Sequence, residues 1–174
     1  MMDANIFDGL KMHHAESFGW ALACTSWRRS EAEDLLQEAY LKVLDGRAIF
    51  EGRSSPKTWF FSVIKMTAFE IARKQSRRST LDSVYSAEPA NDLKTPDVIF
   101  ERSDETRQLL GALAQLPVRQ REVLHLVFYC DLTLEETADA LEISVGAVRT
   151  HYHRGKQTLA DYLRLEMELN DVCG

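Results

Sequence analysis

The side chains best placed for chemistry in this chain are cations. Residues 53–78 hold 7 basic and 1 acidic side chains, and residues 143–160 hold 3 basic and none acidic. The whole chain of 174 residues has 21 Lys plus Arg against 27 Asp plus Glu, a formal net charge of −6. A uniformly polybasic protein is therefore excluded, and two basic islands stand in acidic surroundings, as gripping phosphates at two places requires. In the first island Trp59, Ser62, Met66, Phe69, Arg73 and Arg77 share one helical face, aromatic at its start and basic at its end, with Lys74 and Arg78 beside it. Bases stack on aromatic rings for about 1–3 kcal/mol each while cations track the backbone, so this face suits single-stranded nucleic acid. In the second island, at roughly 100° per residue, Tyr152, Gly155 and Leu159 fall on the side of Val148 and are expected to face a core. Gly146, Thr150, His153 and Gln157 point the other way, flanked by Arg149 and Arg154. Arginine pairs bidentately with guanine, threonine touches a base edge or thymine methyl, and His or Gln bonds to a base or phosphate.

Catalytic patterns are missing. There is no HExxH, no glycine-rich phosphate loop and no nucleophile elbow; Gly155-Lys156 lacks the upstream glycine, Thr150 standing there, and is followed by Gln157. His13 and His14 lie near Glu16, but adjacent histidines project to different helix faces. Neither a catalytic residue nor a metal or other cofactor is expected. Cys24, Cys130 and Cys173 are odd in number, far apart and outside CxxC or zinc-finger spacing, and are expected to stay reduced. No apolar run approaches the ~18–20 residues of a membrane helix, and Met1 to Leu10 has no basic n-region, so a cytoplasmic protein without membrane insertion is expected.

The elements that must carry these residues read as helices. Ala32, Leu35, Leu36, Ala39, Tyr40, Val43 and Leu44 recur with helical period, with Ser30 and Glu33 as a capping box. The opposite face shows Glu33, Asp34, Gln37, Glu38, Leu41 and Lys42, an acidic surface with one exposed leucine. Ser55 as cap and Pro56 at the first position open the next helix, whose buried stripe is Phe60, Val63, Ile64, Thr67, Ala68 and Ile71. Further on, Leu109, Leu110, Leu113, Leu116, Val123, Leu124 and Val127 supply core helices. Thr133 and Glu136 form a capping box, Glu142-Ile143-Ser144 a short turn, and Ser144 caps the basic helix: a helix-turn-helix, whose second helix enters the major groove. The stretch from Ser79 to Ser103, with Pro89, Pro96, serines and acids, is too long for an ordinary loop and reads as a linker. The expected fold is all-α: a helical domain over 1–78, a flexible acidic linker over 79–103, and a helix-turn-helix domain over 104–174.

Several of these segments, in this order, resemble a known family. Asp34-Leu35-Leu36-Gln37-Glu38, Lys57-Thr58-Trp59-Phe60, Leu116-Pro117, Glu135-Glu136-Thr137-Ala138 and Ser144 to Arg149 together look like the extracytoplasmic-function (group IV) sigma factors of bacterial RNA polymerase, in the sigma-70 family. The resemblance spans about residues 10–165. It implies a promoter-specificity and initiation subunit whose first domain binds core polymerase through Asp34, Gln37, Glu38 and Leu41. That domain would also melt and read the −10 element through Trp59, Met66, Phe69, Arg73, Lys74, Arg77 and Arg78. The second domain would read the −35 element through Arg149, Thr150, His153, Arg154 and Gln157. The implied partners are core polymerase, promoter DNA and an anti-sigma factor, which could hold the protein at the inner membrane; no small-molecule substrate is implied. Three positions depart from the family pattern: Met66 where an asparagine is common, Glu142 where a glycine commonly makes the turn, and His151 in place of an arginine. Two other readings fit the same residues. A stand-alone helix-turn-helix regulator would bind its operator without polymerase, and a sigma-like mimic would sequester an anti-sigma protein without reading DNA.

Overall fold

The computed structural model describes residues 4–82 and 104–172, and all regular structure within them is helical. The chain divides into two compact units, Met1–Pro96 and Asp97–Gly174. The first holds α1 (Ala4–Met12), α2 (His14–Cys24), α3 (Arg29–Leu44) and α4 (Pro56–Asp82). α2, α3 and α4 pack against one another around buried Trp20, Leu35, Leu36, Ala39, Phe60 and Ile64, and α1 adds Leu10. Trp20 is fully enclosed, and its Nε1 donates to the carbonyl of Phe61 at 3.0 Å, which satisfies a donor that would be costly to bury alone. Phe61, outside the expected stripe, is as buried as Phe60 because α4 meets α1 and α2 as well as α3, so its apolar face is wider than one stripe. Val63, Ile64 and Thr67 are buried as expected, whereas Ala68 and Ile71 are only half-buried.

The start of α3 differs from the sequence reading. Ser30 lies inside the helix, the N-cap position is Arg28, and no side chain caps it. Ser26 and Trp27 both adopt positive φ (53° and 61°), which turns the chain sharply after α2 and drives Trp27 into the core. Thr25 Oγ1 donates to the Ala21 carbonyl at 2.9 Å and secures that turn. Glu33 pairs with Arg29 at 3.2 Å rather than closing a box on Ser30. At the other end Leu44, placed in the buried stripe by its spacing, is 53% exposed, since the helix stops there and Gly46 (φ 71°) carries the chain away. α4 begins as expected: Pro56 is its first residue and the Thr58 N–H donates to Ser55 Oγ at 3.1 Å. It runs through Asp82, into the segment read as linker; residues 83–103 of that segment lie outside the described residues.

The second unit holds α5 (Asp104–Gln115), α6 (Val118–Phe128), α7 (Leu134–Leu141) and α8 (Val145–Val172). Ala112, Leu116, Val123, Leu124, Leu126, Leu132, Leu141 and Val148 form its core. Leu109, expected in that core, is 41% exposed: it sits early in α5, whereas Ala112 and Leu116 further along are covered. Leu113 and Val127 are half-buried, and the side chain of Leu110 lies outside the described residues. At Gly155 α8 crosses α6 so closely that a Cβ would stand 3.2 Å from Leu124 and from Gln120 Cβ.

Candidate nucleic-acid interface

The helix-turn-helix is built from local hydrogen bonds that its sequence specifies. Thr133 Oγ1 accepts from the Glu136 N–H at 3.1 Å and Glu136 Oε2 accepts from the Thr133 N–H at 2.8 Å, the expected capping box. α7 ends at Glu142, which takes the left-handed conformation (φ 53°, ψ 44°) that glycine adopts without steric cost. The Ile143 N–H then reaches back to the Ala138 carbonyl at 3.1 Å. Ser144 Oγ accepts from the Ala147 N–H at 3.2 Å and opens α8.

This turn fixes the rotation of α8. Val148 and Gly155 are buried against the unit, and Tyr152 and Leu159 are half-buried beside them. Tyr152 stacks on Phe128 with ring centroids 5.9 Å apart. Gly146, Arg149, Thr150, His153, Arg154, Lys156 and Gln157 are exposed, so every residue selected by the helical wheel stands on the outer face. Lys156, not selected by the sequence reading, places its ammonium 5.2 Å over the Tyr152 ring; its charge within the acid-free stretch 143–160 was the available signal. Thr150 Oγ1 donates to the Gly146 carbonyl at 3.0 Å, leaving its lone pairs outward as acceptors. Arg149 Nη2 lies 3.5 Å from Glu135 Oε1 on α7, a contact between residues far apart in sequence. The departure His151 is half-buried.

On α4, Met66 (43%) and Phe69 (60%) are exposed, and Arg73, Lys74, Arg77 and Arg78 follow them along the solvent side. These large apolar side chains are left open on a face that ends in cations and take no part in the core stripe. Trp59 is half-buried and packs at 5.3 Å on Phe50 from the loop before α4, a partner that periodicity within α4 could not reveal. Glu70, the island's one acid, accepts from Lys42 of α3 at 2.6 Å. The lysine side chain is largely buried, so the pair neutralises the carboxylate on an otherwise basic helix.

The face of α3 divides. Gln37 and Leu41 line a groove of about 560 Å³ together with Phe18, Leu36, Tyr40 and Leu44, more apolar than its acidic sequence suggested. Half-burial raises the pKa of the Tyr40 phenol. Asp34 borders a separate cavity of about 150 Å³ beside Cys24, Arg28 and Gln75. Glu38 accepts from Arg47 at 3.1 Å, a hydrogen bond that, with a second to Asp45, raises the guanidinium pKa. Structure thus brings Gln37 and Leu41 together, places Asp34 elsewhere and occupies Glu38.

Other sequence candidates carry no comparable arrangement. His13 Nδ1 and Lys57 Nζ both contact Glu16, at 3.1 and 2.7 Å, and among the described residues no group of three His, Cys, Asp or Glu could hold a metal ion. Cys24 is half-buried and Cys130 buried; Cys173 lies outside the described residues. No described helix is long and apolar enough to cross a membrane.

Comparison with known proteins agrees with this geometry. Residues 12–78 match the family model for sigma-70 region 2, and residues 106–159 match that for sigma-70, region 4. The ECF RNA polymerase sigma factor SigX of Bacillus subtilis is 35% identical over 80% of this chain and 74% of its own length. The RNA polymerase sigma factor CarQ of Myxococcus xanthus is 33% identical over 94% and 92%. Among solved structures, the sigma factor RpoE of Bartonella quintana, in complex with the anti-sigma factor NepR, shares the fold with a TM-score of 0.69 at 21% identity, covering 90% of this chain and 97% of that one. CnrH, in complex with the cytosolic domain of CnrY, aligns with a TM-score of 0.61 at 18% identity over 91% and 88%. With the two regions matched in order on two helical units, and relatives aligned over most of their length, the chain belongs to the extracytoplasmic-function sigma factors, the alternative promoter-specificity subunits of RNA polymerase.

Proposed function

We propose that the exposed face of α8 reads the −35 element in duplex form, through Arg149, Thr150, His153, Arg154 and Gln157. In this reading α4 binds the melted −10 strand: Trp59, Met66 and Phe69 receive bases while Arg73, Lys74, Arg77 and Arg78 hold phosphates. Met66 offers a shape or stacking contact where an asparagine would offer a hydrogen bond. Gln37 and Leu41, with Asp34 and Glu38 at their flanks, dock α3 on core polymerase. Residues 1–78 and 104–174 act as the two binding domains and 79–103 as the linker joining them. The protein supplies specificity and no catalytic group of its own, works in the cytoplasm with the polymerase, and is held in reserve by an anti-sigma factor.

One observation carries the reading: α8 buries Val148 and Gly155 and, between residues 145 and 160, turns outward a face with arginines and no acid, in a chain of net charge −6. Acidic neighbours oppose DNA binding by the free chain, so tight binding is expected in the holoenzyme, with a steep salt dependence. The test is transcription of fragmented genomic DNA by sigma-free core polymerase with and without this protein, mapping RNA 5′ ends. Discrete new starts sharing two upstream elements are expected, and Arg149→Ala or Arg154→Ala should relax −35 preference at a cost of about 1–3 kcal/mol. Absence of core binding, or unchanged −35 preference in both variants, would overturn these assignments.

A further inference from the structure

We propose that Glu135 is a specificity-determining positioning residue, which acts through Arg149 to fix how the recognition helix reads one base pair; the inference rests on the −35 reading above. α7 begins with two acids, and the structure gives them different work. Glu136 closes the capping box, with its carboxylate on the Thr133 N–H at 2.8 Å. Glu135 takes no part in that box; its Oε1 lies 3.5 Å from Arg149 Nη2 in an exposed contact that closer approach to DNA would desolvate and tighten. Nothing on α8 between residues 145 and 160 could do the same, since that stretch has no acid. The contact crosses from one helix of the helix-turn-helix to the other, so the turn at Glu142 and Ser144 sets its geometry.

The chemistry follows from the guanidinium. A free arginine side chain has many rotamers and serves a phosphate as well as a base, so by itself it adds affinity with little discrimination. A carboxylate on one Nη2 hydrogen holds the guanidinium plane and leaves its other N–H groups for the paired acceptors O6 and N7 of a guanine. The same carboxylate removes one unit of positive charge from the groove face and repels phosphates, which lowers binding to every sequence alike. Loss of Glu135 should therefore strengthen indifferent binding and weaken discrimination, opposite signs that a merely structural residue would not produce together.

The experiment uses the full chain with core polymerase and a promoter library randomised across the −35 element, scored by the transcripts produced. Wild type, Glu135→Gln, Arg149→Ala and the double variant are compared, with thermal unfolding as a control for folding. Arg149→Ala should abolish the preference for one base at one position. Glu135→Gln should reduce the preference at that same position by about tenfold, within the worth of one bidentate contact, while raising retention on non-promoter DNA at moderate salt. In the Arg149→Ala background, Glu135→Gln should change base preference no further. If Arg149→Ala relaxes the position and Glu135→Gln does not, the positioning role is refuted while the −35 reading stands. If Glu135→Gln still alters preference in the Arg149→Ala background, the carboxylate does not act through Arg149 and the proposal is overturned. If neither variant alters preference, the −35 assignment of Arg149 falls and the proposal with it.

Discussion

Lowering the pH from about 8 to about 5 should loosen the second unit through a single histidine. The Nε2 atom of His125 on α6 is buried, and its ring lies 4.9 Å from that of Tyr129. Burial disfavours the imidazolium and lowers the pKa from 6.5 to about 4. In the unfolded chain the same ring titrates near 6.5, so between these values the unfolded state binds more protons than the folded one. Stability from this group is therefore complete above the unfolded pKa and is lost as pH falls through 6.5 toward 4. At about 1.36 kcal/mol per unit the full window is worth about 3 kcal/mol, and the linkage expression gives about 1 kcal/mol lost by pH 6 and about 2 by pH 5. Trp20, Trp27 and Trp59 all lie in the first unit, so tryptophan fluorescence does not report this opening. Amide hydrogen exchange of α6 and α8, corrected for the intrinsic pH dependence of exchange, reports it directly. The comparison is with His125→Gln, which removes this titration and keeps His151 and His153. Protection in the wild type should fall with pH more steeply than in the variant, by about 2 kcal/mol at pH 5. Equal slopes would show that His125 protonates in the folded unit as readily as in the unfolded chain, and the argument from its burial would be wrong.

Three further outcomes follow from backbone and charge. Glu142→Gly relieves a left-handed conformation that disfavours side chains, and after the entropy glycine adds to the unfolded chain it should stabilise the second unit by about 0.5–1 kcal/mol in urea unfolding; a loss of stability would show that the Glu142 side chain contributes more than its conformation costs. Gly155→Val places new carbons beyond a Cβ already 3.2 Å from Leu124 and Gln120, and should lower stability by about 1–3 kcal/mol and loosen α8 on α6; an unchanged melting temperature would mean that the two helices part without cost. Arg73→Ala with Arg77→Ala should reduce the salt dependence of the melted promoter complex by about 0.7 of a log unit per lost contact, the value for single strands; an unchanged slope would remove both from the phosphate contacts.

The helices and the outward face of α8 were legible because their determinants are local. Ser55 with Pro56, Thr133 with Glu136, and Ser144 act within one turn of their own helix, and the structure shows each of them. The outer face of α8 follows from helical period and from one buried position, Val148. Local rules misplaced the start of α3, where consecutive positive φ angles at Ser26 and Trp27 are chosen by the burial of Trp27 and not by any turn residue. They also assigned Leu44 and Leu109 to the core, since period tells which residues share a face but not where along that face a neighbouring helix ends. Tertiary structure alone decided that Phe50 backs Trp59, that Lys42 neutralises Glu70, that Glu38 is held by Arg47, and that Glu135 meets Arg149. In each of these pairs the partner comes from another helix or loop, and charge or apolar character written along one strand of sequence does not specify which distant side chain will stand within hydrogen-bonding or packing distance of it.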